Sequence, residues 1–65
     1  QRAEELEVHY REVLQQGVNV GNALVLMAPD DPDAFYYLAT CQAALGDLDA
    51  SQQNMKTYQE LSGSQ

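Results

Sequence analysis

The sequence predicts an all-α fold made of antiparallel helix hairpins, and three observations carry that reading. Apolar and small residues recur at spacings of three and four through most of the chain. Glycines and prolines punctuate it at Gly17, Pro29, Pro32 and Gly46, which divides 65 residues into segments of helix length. A full helix-start signal stands at Asp31-Pro32-Asp33. Asp31 can cap, Pro32 occupies a position whose N–H would be unpaired anyway, and Asp33 complements the positive end of the helix dipole.

Taken in order, the first helix is expected over residues 2–16. Ala3, Leu6, Tyr10, Val13 and Leu14 share one face. Glu4, Glu5 and Glu7 crowd its first turns, and Glu7 can pair with Arg11 one turn on. Val8 and His9 flank the apolar stripe. Two readings of Gly17 and Gly21 stay open and are compatible. Gly17 can cap the first helix with Gly21 early in the next, or the pair can form a small surface that lets two backbones approach. The second helix is expected over 18–28, and Val20, Ala23, Leu24, Val25, Leu26 and Met27 make it apolar on nearly every side. So little polar face implies cover from two directions. Pro29 ends it. A third helix follows over 32–45, a tight turn falls at Gly46-Asp47, and a fourth helix is expected over 48–61.

The spacing within residues 32–61 resembles the tetratricopeptide repeat (TPR) family, whose pattern runs aromatic-x2-Leu-Gly-x2-Tyr, then Ala-x3-Phe, then Pro. Phe35, Leu38 and Ala39 match its first part, Ser51 and Met55 stand where the family has Ala and Phe, and Gly46-Asp47 falls at the usual turn. Gln42 departs from the family's Tyr, and no Pro follows Leu61. The resemblance implies a TPR-like right-handed stack of about four helices forming one small domain. Residues 30–61 would be the better-matched repeat, 1–29 a degenerate one closed by Pro29, and 62–65 a flexible tail. Phe35, Leu38, Leu45, Met55 and Leu24 form the expected core.

Charge and chemistry narrow the function. Three Lys and Arg against ten Asp and Glu give a formal charge of −7. Such a surface repels phosphate backbones and anionic lipid, so nucleic acid is a poor partner and a basic protein or peptide a better one. No apolar run reaches the ~18 residues of a membrane span. No signal peptide is legible either, and a soluble, cytoplasmic protein is the favoured expectation. Cys41 is the only cysteine, which rules out an intrachain disulfide and a thiolate cluster. It reads as a small hydrophobe in mid-helix. His9 has no second histidine to form a site with it. The carboxylates at Asp30, Asp31 and Asp33, and those at Asp47 and Asp49, sit at helix starts without the spacing of a calcium loop. With no phosphate loop and no nucleophile–base pair, the chain reads as non-enzymatic, with no cofactor and no metal.

Recognition remains. In TPR proteins the groove is lined by the first helix of each pair, and that resemblance points to Asp33, Tyr36, Tyr37, Thr40, Ala43 and Ala44. Adjacent tyrosines on a helix point in different directions, so one can pack while the other offers an interface anchor, or both can pack. The third helix carries no Lys or Arg, which disfavours the carboxylate-clamp ligands of chaperone-binding TPR domains. Tyr58 and Leu61 extend the apolar stripe of the fourth helix, and terminal repeats without a polar cap associate readily. That surface is expected to be covered by another copy, by a partner or by further chain. Two functions follow. One is an adaptor or an assembly or export chaperone that binds another protein. The alternative is a structural or self-associating piece of a longer helical-repeat protein.

Overall fold

The computed structural model describes the backbone of residues 2–63 and the side chains of residues 5–63. It contains three helices and, among the described residues, no strand: α1 (Arg2–Met27), α2 (Pro32–Leu45) and α3 (Leu48–Gly63). The all-α expectation holds, and the count of four helices is corrected to three. The two helices expected over 2–16 and 18–28 are one continuous helix, so the hairpin expected within residues 1–29 is absent. At the other end α3 runs on through Ser62 to Gly63, two residues of the expected tail, while Ser64 and Gln65 lie outside the described residues.

The glycines explain why α1 is unbroken. A mid-helix glycine costs about 1 kcal/mol against alanine, so local propensity alone favours a break. Here both glycines are buried where α1 crosses α2. A Cβ on Gly21 would stand 3.1 Å from the Leu38 Cα and 3.0 Å from its Cβ, and one on Gly17 would stand 2.7 Å from the Cys41 Sγ. Of the two readings open for this pair, close backbone approach is the one realised. The helix survives its glycines because α2 packs directly against the bare α-carbons.

Local signals place α2 as expected. The Asp31 carboxylate accepts a hydrogen bond from the Asp33 N–H at 3.0 Å, with Pro32 opening the helix. Gly46 closes it at φ 89°, in the left-handed region open to glycine. The Gly46 N–H donates to the Ala43 carbonyl and the Asp47 N–H to the Gln42 carbonyl, the paired bonds of a Schellman turn. That turn reverses the chain into α3 within two residues.

Helix α2 is the centre of the molecule: α1 packs on one side and α3 on another, and α1 and α3 do not pack on each other. The fully buried apolar set is therefore small, namely Ala34, Leu38 and Ala39. Of the expected core only Leu38 is fully buried. Phe35, Leu45 and Met55 are half-buried, and Leu24 is exposed at 38%. The reason is geometric. An outer helix touching a single neighbour buries one narrow strip, and residues beside that strip stay wet. The apolar segment 18–28, expected to be covered from two directions, is covered by α2 alone. In this antiparallel pairing Gly21 lies against Leu38 and Gly17 against Cys41, and Tyr10 and Leu14 come beside Ala44 and Leu45 at the end of α2. The first turns of α1 extend beyond that end, and the molecule is elongated, 49 Å long against widths of 20 and 15 Å.

Candidate functional site

The residues expected to face a partner come out together on α2. Its buried side carries Ala34, Leu38, Ala39 and Gln42. At 3.6 residues per turn the opposite side carries Asp33, Tyr36, Thr40, Ala43 and Ala44, with Tyr37 at its margin, and all of these are exposed. The face is smooth between its tyrosines: two alanines, a threonine whose hydroxyl donates to the Tyr36 carbonyl at 2.8 Å, and one carboxylate.

The two tyrosines diverge, as adjacent helical positions must. Tyr36 leans towards α3 and meets Tyr58, with ring centroids 5.1 Å apart and planes tilted by 48°. Tyr37 leans towards α1, where its hydroxyl lies 3.4 Å from the place a Gly17 Cβ would occupy. Each keeps roughly half its surface open, at 51% for Tyr36 and 41% for Tyr37. Both therefore pack on a neighbouring helix and both remain accessible. Offset aromatic pairs of this kind contribute about 0.5–1.5 kcal/mol beyond the area they bury. Tyr58 thus joins the α2 face from α3. Leu61, further along α3, is half-buried.

Beneath this face the α2–α3 seam is polar and fully partnered. The Ser51 hydroxyl donates to the Ala39 carbonyl at 2.8 Å, and the Asn54 amide donates to the Gln42 side-chain oxygen at 2.7 Å. Gln42, which stands where the resemblance calls for Tyr, is 8% exposed and satisfied by Asn54. Among the described residues no buried side-chain nitrogen or oxygen lacks a partner. The small Ala39 and Ser51 let the two helices approach at this point, and the hydrogen bonds fix their register.

Cys41 is half-buried against Gly17, in keeping with a packing role. His9 is exposed on α1. Among the described residues no group of three or more His, Cys, Asp or Glu is placed to hold a metal ion, and no helix is long and apolar enough to cross a membrane. A second surface was not anticipated from the sequence. Large apolar side chains of α1 stand open on more than one side of that helix, Leu6, Tyr10 and Val13 on one and Val8 and Leu26 on another. The signal was present in their spacing, but the expected break at Gly17 divided it.

Comparison of the chain with protein-family models, curated proteins and solved structures gives no match.

Proposed function

We propose that this chain is a protein–protein interaction module of TPR type, a non-enzymatic adaptor or assembly chaperone that receives a partner protein or peptide on the open face of α2. One observation carries the reading. Asp33, Tyr36, Tyr37, Thr40, Ala43 and Ala44 share the single side of the central helix that neither neighbour covers, with an anchored tyrosine at each margin. Tyrosines held by packing yet half-open lose little conformational freedom on binding, which suits them as interface anchors. The floor between them is small-residued, so a partner backbone can approach. The right-handed repeat stack belongs to the same proposal, supported by the Gly46 turn and by the close approach of α2 and α3 at Ala39 and Ser51. With a net charge of −7, the partner surface is expected to be basic.

A displayed library of random peptides, selected on the immobilised chain and counter-screened on Thr40→Arg, tests this. Thr40 is exposed at the middle of the face, so the substitution adds bulk and positive charge there without entering the core. Enrichment of Lys- and Arg-rich peptides that lose at least tenfold in affinity on Thr40→Arg supports the reading. Enriched peptides that bind both forms equally would place recognition elsewhere and overturn it.

A further inference from the structure

The open face of α2 is bordered on its α3 side by two rings, with a carboxylate one turn away. Tyr36 and Tyr58 meet with centroids 5.1 Å apart and planes tilted by 48°. Tyr58 is half-buried and holds one side of Tyr36, which keeps 51% of its surface open to water. Asp33 is exposed and stands three residues before Tyr36, the spacing that makes helical side chains neighbours. The charge there is negative, because Asp30, Asp31 and Asp33 together exceed the roughly half positive charge of the α2 N-terminus. Neither helix brings a cation to the pair. Helix α2 has no Lys or Arg. Lys56, the one cation of α3, lies two positions from Tyr58 and so on the side turned from α2.

We propose that the Tyr36–Tyr58 pair is the seat for an arginine side chain of the basic partner. This deepens the reading of the α2 face given above and depends on it. The guanidinium plane lies on the open part of the Tyr36 ring, and its N–H edge turns to the Asp33 carboxylate. Charge selects a cationic occupant, and geometry selects arginine over lysine. A ring attracts a cation at its face, within about 6 Å of its centroid. A guanidinium stacks flat there and still offers donors from its edge, whereas an ammonium is a compact charge that holds its water strongly. Tyr58 fixes the Tyr36 ring beforehand, so little freedom is lost when the guanidinium settles. Tyr37 serves less well. It leans on α1 beside Gly17 and, among the described residues, meets no second ring, and residues 13–27 of α1 carry no charge. The strip of Thr40, Ala43 and Ala44 beyond the seat takes the backbone of the same partner.

Three short peptides, acetylated and amidated, test this. One alternates Arg with Ala, one has Lys in place of Arg, and one has citrulline, which keeps the shape of arginine without its charge. Affinities are read by titration, with the tyrosine ring signals followed by NMR. The arginine peptide should bind about threefold to tenfold more tightly than the lysine peptide. Citrulline should abolish binding, and the Tyr36 and Tyr58 rings should shift most. Tyr58→Leu, with helical content checked, should erase the preference for arginine. Asp33→Asn, on the surface and outside the ring contact, should reduce it. Glu60→Gln removes the same charge outside the face and should weaken the arginine and lysine peptides alike. Equal affinity for those two peptides would overturn the seat, as would a preference that survives Tyr58→Leu. Thr40→Arg separates the seat from the face. Binding that falls with Thr40→Arg but ignores Tyr58→Leu overturns the seat and leaves the α2 face as the partner surface. Binding that ignores both overturns the two together.

Discussion

The two seams of this molecule are built on opposite principles. Between α1 and α2 the helices meet across bare α-carbons: Gly21 lies under the Leu38 backbone and Gly17 under Cys41. Between α2 and α3 they meet through directed bonds, Ser51 to the Ala39 carbonyl and Asn54 to Gln42, with the Tyr36–Tyr58 pair at the rim. The first seam gains from close packing and is intolerant of volume. The second gains from register and is intolerant of lost partners. Dispersion is short-ranged and punishes a misplaced methyl, whereas an unpaired buried amide costs its whole desolvation penalty. Leu38 serves the first seam and, 3% exposed, sits at the centre of the core.

The sharpest break is expected at that residue. Leu38→Ala should destabilise the chain by roughly 2–5 kcal/mol. That is a large part of a small domain's total, and a urea midpoint measured at fixed protein concentration should fall accordingly. If the midpoint does not move, α2 does not present this side to α1.

Next in size comes the polar seam. Asn54→Leu leaves the Gln42 oxygen buried without a donor and should cost about 1–3 kcal/mol. The paired change Gln42→Leu with Asn54→Leu removes both polar groups and should recover most of that loss. A double-mutant cycle reads the difference as a coupling energy. Strict additivity would mean that the two amides do not depend on each other.

The smallest effects separate the two glycines. At Gly21 an added methyl meets the Leu38 Cα and Cβ, which cannot swing away. Overpacking of about 1–3 kcal/mol should outweigh the helical gain of about 1 kcal/mol, so Gly21→Ala should lower stability. At Gly17 the tightest neighbour is the Cys41 Sγ, a side-chain atom. Gly17→Ala should be near neutral alone. Combined with Cys41→Ala it should become stabilising by up to ~1 kcal/mol, as the helical gain is no longer offset. Thermal melts of Gly21→Ala, Gly17→Ala, Cys41→Ala and the Gly17→Ala/Cys41→Ala pair check this, and equal behaviour at both glycines would refute the contrast.

What the sequence determined by itself was the local grammar. Asp31, Pro32 and Gly46 act through bonds to residues two to five positions away, so the bounds of α2 and the turn into α3 were legible in order along the chain. The open face of α2 was legible too, because helical period alone puts Asp33, Tyr36, Thr40 and Ala44 on one side. What only the tertiary structure decided were the features whose cause lies on another helix. Whether Gly17 ends a helix depends on what stands beside its α-carbon. Propensity argues for a break, and the contact with Cys41 overrules it. Gln42 reads in isolation as a departure from a pattern, and becomes a seam residue only once Asn54, twelve positions on, is brought to 2.7 Å. The tyrosines were known to diverge, but their partners, Tyr58 and the gap over Gly17, came from packing. The core was overestimated at Leu24 for the same reason. A hydrophobic stripe says which side of a helix is apolar, and only the number of neighbours says how much of that side is covered.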